Sequence, residues 1–144
     1  MRAVITRVLS ASVDIEGKTV SEIGKGLLVL LGIHVDDTEE KAVKMADKIC
    51  GMRIFEDDNG KMNISPEDAG AQLLIVSQFT LYADCGSRRP GFTQAARPEL
   101  SKPLYEMVVS ECVKRGFKTD TGEFGANMKV ASVNDGPVTI VLDV

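Results

Sequence analysis

The sequence predicts a layered, mixed α/β fold in which stacked or barrel-like mixed β-sheets carry two main helices packed on one side. Three observations support this prediction. Segments with strand-like patterns gather at both ends of the chain, two segments have helical spacing, and the longest apolar run, residues 27–33, has only the length of a strand. At 144 residues and 44% hydrophobic composition, the chain is expected to form one domain over residues 1–144.

The first 35 residues alternate in the manner of β-strands. A strand from about residue 3 to residue 15 is followed by the turn Glu16-Gly17-Lys18 and by a hairpin partner at 19–23. Residues 27–31 are continuously apolar, so we expect both faces of that strand to be covered. Further strands are predicted at 72–81, 128–133 and 138–144, and a hairpin turn at 58–61.

Two amphipathic segments are predicted to be helices. Asp37 and Glu40 form a plausible capping box for the first, which is expected to run to about Cys50. Ser101 is expected to cap the second helix, and Gly116 to end it. The apolar face of this second helix holds Leu104, Met107, Val108 and Cys112.

Charge and hydropathy exclude several classes of protein. The 17 Lys and Arg residues stand against 21 Asp and Glu, a net charge of −4, so a strongly basic nucleic-acid coat is excluded although a local basic patch is not. No apolar run reaches the roughly 18 residues of a membrane span, and the N-terminus lacks the apolar stretch of a signal peptide. We therefore expect a cytoplasmic protein with no membrane partner.

The three cysteines and the single histidine favour structural roles. There is no Cys-x-x-Cys pair, and we expect neither a metal nor a cofactor. Cys50 and Cys112 fall on apolar helix faces and are expected to be buried, whereas Cys85 lies in a polar loop. His34 follows a buried strand, and no Gly-x-Ser-x-Gly elbow accompanies it. A hydrolase built on this chain would have to work without a metal and without a Ser-His-Asp triad.

Two short segments carry polar groups that invite a chemical interpretation. In 77–81, SQFTL, hydroxyl and amide groups follow an apolar strand, where they and the backbone N–H groups could bind an oxyanion. An ordinary strand end is the alternative. In 134–139, NDGPVT, the residues are typical of a turn between two strands. A Gly-Pro bond can also be cis, which would aim two rigid carbonyls at an ammonium group.

Together, SQFTL and NDGPVT resemble the two signature motifs of the D-aminoacyl-tRNA deacylase family. The resemblance covers the whole chain, because the remaining segments follow in the family's order. These segments are the strand at Arg7-Val8, GLLVLLG at 26–32, the hairpin from RIF to GKMN at 53–63, and FGANM at 124–128. Their joint order and spacing make a chance agreement improbable.

The resemblance implies an enzyme that hydrolyses the ester between a D-amino acid and the 3′-terminal adenosine of tRNA. It also implies removal of glycine mischarged onto tRNA for alanine, while L-aminoacyl-tRNA is spared. The implied partners are the aminoacyl-tRNA 3′ end and a second copy of the chain, because the family is a homodimer whose cis Gly-Pro step reaches into the partner's site. On this chain Gly136 and Pro137 would select the enantiomer, Arg7 would hold their loop, and Asn134 would order the turn.

The resemblance further implies that Ser77, Gln78, Phe79 and Thr80 line the carbonyl site. We expect the backbone N–H groups of Phe79 and Thr80 to face the developing oxyanion. Thr80 is a nucleophile candidate by residue type, but no base accompanies it in the sequence. Water attack assisted by the ribose 2′-hydroxyl is the preferred mechanism.

Two further segments are candidates for contacts with the nucleotide. Phe124, Gly125, Ala126 and Met128 could form an apolar slot for the terminal adenine, or could be simple strand packing. The loop 84–102 holds Arg88, Arg89, Arg97 and Lys102 but only two acidic residues, so it could contact phosphate or could be a solvated loop.

Two other functions stay open. The chain could be a non-catalytic nucleic-acid-binding module of the same fold, or a structural or small-molecule-binding dimer in which both motifs are mere turns. Hydrolysis of D-aminoacyl-tRNA would separate the enzyme from both alternatives.

Overall fold

The computed structural model describes residues 1–144 as a six-stranded mixed sheet, a small two-stranded hairpin, two α-helices and one 3₁₀ turn. In chain order the elements are β1 (Arg2–Ile15), β2 (Lys18–Ile23), β3 (Gly26–Gly32), α1 (Glu39–Gly51), β4 (Phe55–Glu56), β5 (Met62–Ile64), β6 (Gln72–Ser77), the 3₁₀ turn (Phe79–Tyr82), α2 (Pro98–Lys114), β7 (Thr119–Thr121) and β8 (Lys129–Asp143).

The long strand β1 organises the sheet. On one side it pairs antiparallel with β3 along its first half and with β2 along its second half. On its other side it pairs antiparallel with β8 over almost its whole length. Strand β3 then pairs parallel with β6, and β6 with β7. A Cβ at Gly26 would overlap the carbonyl of Gln72, so β3 and β6 can meet at this point only because residue 26 has no side chain.

Buried side chains form two clusters on opposite faces of the sheet. Successive residues of a strand point to opposite faces, and Leu73 and Ile75 belong to the larger cluster whereas Leu74 and Val76 belong to the smaller one. The larger cluster includes the apolar faces of α1 and α2, so both helices pack on one side of the sheet. The predicted fold class is therefore confirmed. Neither helix has the length and apolar character needed to cross a membrane.

The helix starts differ from the prediction. Helix α1 is capped by Thr38, whose hydroxyl accepts a hydrogen bond from the Lys41 N–H, rather than by the predicted box at Asp37. The buried carboxylate of Asp37 instead binds the N-terminal ammonium of Met1 at 2.7 Å. Helix α2 begins at Pro98, because proline suits the first helical position, and Ser101 therefore lies inside its first turn instead of capping it.

The predicted strand at 72–81 is too long. Strand β6 ends at Ser77, where its pairing with β3 also ends, and residues 79–82 form the 3₁₀ turn. Other local predictions are confirmed: the 58–61 turn lies between β4 and β5, Cys50 and Cys112 are buried, and Cys85 is exposed.

The predicted turn at 134–137 is wrong, because this segment lies within one continuous strand. Both of its flanks pair antiparallel with β1, so the chain does not reverse there and β8 runs on as one strand. Thr139 pairs with Thr6 and Val133 pairs with Ser10, which sets five residues of β8 opposite three of β1. Residues 134–138 therefore form a bulge in the strand. Within this bulge the Gly136–Pro137 peptide bond is cis, and Gly136 has a φ of 119° that favours glycine.

Candidate active site

A cleft of about 610 Å³ opens beside the carboxyl end of β6. It brings together two segments that the sequence singled out, 77–79 and 124–128. A third wall comes from 92–101, the segment that leads into α2, and Ile33 and Val130 contribute at the margins. Thr80 does not line the cleft and lies next to its rim. The polar segment 77–79 and the apolar segment 124–128 thus form one site, although they are more than 40 residues apart in the sequence.

The 3₁₀ turn leaves two backbone donors free. The N–H of Gln78 is bonded to the Leu31 carbonyl at 2.8 Å, which continues the β3–β6 ladder, and the Leu81 N–H donates back to the Gln78 carbonyl. The N–H groups of Phe79 and Thr80, at the start of the turn, donate to no group within the chain. Two adjacent free donors at the rim of a cleft can bind an oxygen atom that carries negative charge.

The side chains at the rim provide no general base for Thr80. The amide nitrogen Nε2 of Gln78 donates to the Thr80 Oγ1, and an amide nitrogen cannot accept a proton from that hydroxyl. His34 lies elsewhere: its Nδ1 accepts a hydrogen bond from the Asp36 N–H, and its ring packs edge-on against Tyr82. Burial raises the pKa of Tyr82 to about 12, so this phenol is neutral at physiological pH.

Aromatic side chains form the walls of the cleft. The rings of Phe79 and Phe92 pack edge-on with centroids 5.2 Å apart, and the Phe79 side chain is 55% exposed. On the opposite wall Phe124 packs against Tyr105, whose hydroxyl donates to the Ile75 carbonyl at 2.6 Å. Burial raises the pKa of Tyr105, which keeps that donor protonated. The cleft therefore has flat apolar surfaces suited to a base or an aromatic side chain.

The segment 92–101 lies within the loop 84–102 that the sequence offered as a candidate for phosphate contact, but its place as a wall of the cleft was not predicted. Its lining residues include Ala95 and Ala96, which leave room in the cleft, and Arg97 and Ser101, which bring a cation and a hydroxyl. The only sequence signal was the excess of basic residues in the loop 84–102, of which Arg97 lines the cleft.

The remaining predicted residues lie away from the cleft of their own chain. In the ladder Ser77 pairs with Leu31, and Leu31 pairs with Ala3, whereas the bulge at Gly136-Pro137 lies beside Arg7 on the far side of β1. Three strand spacings separate Ser77 from the bulge, about 14 Å along the hydrogen-bonding direction, and four residues add about 13 Å along the strands. Neither Gly136 nor Pro137 lines the cleft.

Arg7 supports the bulge from inside the protein. Its guanidinium is almost fully buried and donates to the Ile54 carbonyl at 2.7 Å and to the Asp135 carbonyl at 3.3 Å. Carboxylate oxygens of Asp135 and Glu56 lie 3.3 and 3.7 Å from its nitrogens. Asn134 accepts a hydrogen bond from the Ser132 hydroxyl at the entry to the bulge. These contacts fix the bulge to the sheet and to the β4–β5 hairpin.

No three His, Cys, Asp or Glu side chains come together in a group that could hold a metal ion. The chemical groups that the cleft offers are two free backbone amides, flat apolar walls, one guanidinium and the polar side chains of Ser77, Gln78, Ser101 and Asn127. This set can bind an acyl oxygen beside an aromatic ring system.

A family model and two related sequences indicate the same family. The family model described as D-Tyr-tRNA(Tyr) deacylase matches residues 4–143. The chain is 56% identical over 144 residues to a D-aminoacyl-tRNA deacylase of Thermosipho africanus, covering 99% of this chain and 97% of that protein. It is 54% identical over 145 residues to a D-aminoacyl-tRNA deacylase of Serratia proteamaculans, covering 100% of both.

Two solved structures share the fold. A c-Myc DNA Unwinding Element Binding Protein superposes with a TM-score of 0.94 at 38% identity, covering 100% of this chain and 99% of that one. A probable eukaryotic D-amino acid tRNA deacylase superposes with a TM-score of 0.87, covering 99% and 98%. At 18% identity the second likeness concerns the fold alone.

Proposed function

Because this chain belongs to the D-Tyr-tRNA(Tyr) deacylase family and is a D-aminoacyl-tRNA deacylase, we propose that the cleft beside Ser77 is where the ester of D-aminoacyl-tRNA is hydrolysed and L-aminoacyl-tRNA is rejected. One observation carries the proposal. The 77–79 and 124–128 segments, distant in sequence, line the same cleft and offer an oxyanion site next to an apolar slot. The 3′ end of an aminoacyl-tRNA combines these two chemistries, an acyl carbonyl and an adenine.

The free N–H groups of Phe79 and Thr80 would stabilise the transition state. When water adds to the ester carbonyl, negative charge develops on the carbonyl oxygen, and preorganised donors lower the energy of that state. Loss of one such donor typically costs about 3 kcal/mol, or two to three orders of magnitude in rate. The structure supports this role because both donors lack a partner within the chain.

Water is the nucleophile in the proposed reaction. Its oxygen bonds to the carbonyl carbon, the bond from that carbon to the ribose 3′ oxygen breaks, and a proton from the water reaches the 3′ oxygen with help from the neighbouring 2′-hydroxyl. The products are a free D-amino acid and a tRNA with an intact 3′ end. The contact of Thr80 with an amide nitrogen, which cannot act as a base, favours this route over attack by Thr80.

Chiral selection would come from the Gly136-Pro137 bulge of a second copy. The bulge is too far from the cleft of its own chain to contact a substrate there, and β8 has one edge that pairs with no other strand. That strand also exposes Val133 and Val141, whose side chains are 53% and 64% accessible. A long, partly apolar edge is a surface at which a second copy can dock. We therefore propose a homodimer in which each bulge completes the partner's cleft.

Backbone carbonyls in the bulge would bind the substrate's α-ammonium and leave no space for the side chain of an L-amino acid. A clash with fixed backbone rejects every L-residue regardless of its chemistry. Glycine has no side chain to clash, so the same arrangement admits glycyl-tRNA. We accordingly propose that glycine mischarged onto tRNA for alanine is a second substrate.

A nucleic-acid-binding module without hydrolysis is the second candidate. The likeness to the c-Myc DNA Unwinding Element Binding Protein favours it, since that protein's name denotes binding to DNA. The net charge of −4 argues against extensive phosphate contacts on this chain. Binding of DNA without any loss of ester from D-aminoacyl-tRNA would establish this second function instead.

The test is an ester-hydrolysis assay with D-tyrosyl-tRNA, L-tyrosyl-tRNA and glycyl-tRNA for alanine, each incubated with the purified protein. We expect rapid loss of the D-tyrosyl and glycyl esters and persistence of the L-tyrosyl ester. Equal rates for the two enantiomers would refute chiral selection by the bulge. Sedimentation under the assay conditions tests the dimer, and a selective monomer would contradict the proposed completion of one site by the other copy.

A further inference from the structure

We propose that the amino end of α2 forms a phosphate site within the cleft, built by Arg97 and Ser101, which binds the phosphodiester on the 5′ side of the terminal adenosine. The inference rests on the proposed function, because it assigns that phosphate to a place beside the ester-binding groups. It names two residues, neither of them in the SQFTL or NDGPVT segments, as determinants of tRNA binding.

The hydroxyl of Ser101 is the first observation. The residue is 7% exposed and lines the cleft, yet its hydroxyl makes no hydrogen bond within the chain. No fully enclosed side-chain oxygen or nitrogen is left without a partner in this structure, so the small accessible part of Ser101 must include its hydroxyl. A buried residue that presents an unpaired donor to a cleft is suited to a ligand that accepts a hydrogen bond.

Arg97 is the second observation. It occupies the position just before α2 and lines the same cleft, and no carboxylate lies within 4.0 Å of its guanidinium. Six other Lys and Arg side chains in the chain do form such ion pairs, among them Arg2, Arg7 and Arg115. Arg97 therefore has its full charge and its five N–H donors available to a bound anion.

The backbone adds a further attraction for an anion. Helix α2 has 17 residues, and no side chain caps its first turn. The N–H of Glu99 is therefore left over at the amino end, where the helix dipole is positive. Pro98 has no N–H to contribute. Arg97, Ser101 and the amino end of α2 thus all belong to the wall of the cleft formed by residues 95–101.

The chemistry of the substrate identifies the anion. An aminoacyl ester has no free carboxylate and its α-ammonium is positive, so the phosphodiester is the only anionic group next to the terminal adenosine. It is joined to the same ribose that carries the ester, and a cleft of about 610 Å³ has room for both. The free amino acid formed by hydrolysis does have a carboxylate, and the experiment must distinguish that source.

The test compares two small esters on the full-length protein. One is 3′-O-(D-tyrosyl)adenosine, and the other is the same ester with a methyl phosphodiester at the 5′ position, which has the single charge of a tRNA linkage. We expect the wild-type protein to prefer the phosphodiester about tenfold or more in kcat/KM, the scale of a hydrogen bond to a charged group. The preference should be expressed mainly in KM.

Three variants assign that preference to residues. Arg97→Gln should remove most of the preference and leave a ratio of the two kcat/KM values of about two to five, since it removes the charge but keeps the Ser101 hydroxyl. Ser101→Ala should reduce the ratio about two- to fivefold, the effect of one lost hydrogen bond. Arg97→Lys, which keeps the charge but not the planar donors, should restore part of the ratio. Lys44→Gln is the matched control, because Lys44 is an unpaired, exposed cation on the other helix.

The outcomes separate this inference from the proposed function. If the wild-type protein cleaves both esters equally well, the cleft has no phosphate site. If Arg97→Gln lowers the rates on both esters by the same factor, Arg97 serves folding or binding of the acyl group. If Arg97→Gln weakens only inhibition by free D-tyrosine, the anion is the product carboxylate. Each of these results overturns the phosphate site while hydrolysis stands. If the wild-type protein cleaves neither of the two small esters nor D-tyrosyl-tRNA, both the proposed function and the phosphate site are overturned.

Discussion

Replacing Arg7 with methionine tests how the bulge is held. Met keeps a long, unbranched side chain but removes every donor, so the buried Ile54 carbonyl loses the hydrogen bond that it now receives at 2.7 Å. An unpaired buried acceptor costs about 1–3 kcal/mol. The carboxylates of Asp135 and Glu56 are 38% and 59% exposed, so water can replace the guanidinium there, and each adds at most about 1 kcal/mol. We expect a loss of about 2–4 kcal/mol in the free energy of unfolding.

The assay is urea unfolding followed by far-ultraviolet circular dichroism, because the chain has no tryptophan, at one fixed protein concentration. The matched control is Arg53→Met: Arg53 also donates to a carbonyl, that of Asn63, at 2.7 Å, but this pair is exposed. The control should lose less than about 1 kcal/mol. The ratio of kcat/KM on D-tyrosyl-tRNA to that on L-tyrosyl-tRNA should fall for Arg7→Met and not for the control.

Two results would refute this reasoning. Equal losses of stability in Arg7→Met and Arg53→Met would mean that burial of the guanidinium is unimportant. A variant that is destabilised as expected but keeps the wild-type ratio of D to L activity would mean that the position of the bulge does not determine selectivity.

Four further outcomes are expected. Thr80→Ala should retain kcat/KM on D-tyrosyl-tRNA to within about tenfold, the cost of one modest hydrogen bond, and its complete inactivation with binding intact would restore the nucleophile role. Pro137→Ala should lower D-over-L selectivity about tenfold or more by altering the fixed backbone, and wild-type kinetics would contradict that role. Gly26→Ala should lower the free energy of unfolding, measured with urea, by about 2–3 kcal/mol, because its methyl group would overlap the Gln72 backbone. Gly51→Ala should not lower it, because a methyl group there meets nothing within 4 Å. Alkylation of the folded protein, read by mass spectrometry, should modify the exposed Cys85 and spare the two buried thiols, and equal labelling of all three would contradict their burial.

The sequence was sufficient for the architecture because the signals involved are local or periodic. The uninterrupted apolar run in β3 predicted a strand covered on both faces. Leu27, Val29 and Leu31 are fully buried on one face, and on the other face Leu28 is buried and Leu30 is half-buried. The four consecutive apolar residues at 73–76 likewise indicate a strand covered on both faces, and all four are buried. The helical spacing in α1 and α2 indicates which face of each helix is buried, without reference to any partner element.

The bulge could not be found in this way. Residues 134–137 have the composition of a turn. The conformational preferences of these residue types determine only that the backbone departs from a regular strand. Whether the chain then reverses depends on pairing with β1, which lies some 130 residues away in sequence and holds both flanks of the bulge. The start of α2 is a different kind of error: Pro98 was a visible signal for a first helical position, and it outweighs Ser101 as a cap.

Some residues of the cleft were predicted and others were not, because the position of a segment beside the cleft depends on contacts with distant parts of the chain. The 77–81 segment was singled out because polar groups follow an apolar strand, and the family resemblance then gave roles to residues 77–80 and 124–128. No periodicity identified either segment. The wall at 92–101 has no regular pattern until α2 begins, and its place beside β6 follows from tertiary contacts such as the Ala96 N–H donating to the Ile33 carbonyl at 2.9 Å. No property of the isolated segment specifies that contact.

The continuity of β8 has a consequence for the timing of the reaction. A loop at the tip of a hairpin can swing, and enzymes that close such loops over their substrates often have rates limited by that motion. Residues 134–138 are anchored by ladder hydrogen bonds before and after the bulge and by a buried guanidinium beneath it. Handedness would then be read against a surface already in place when the tRNA arrives, so the discrimination between enantiomers should be insensitive to solvent viscosity.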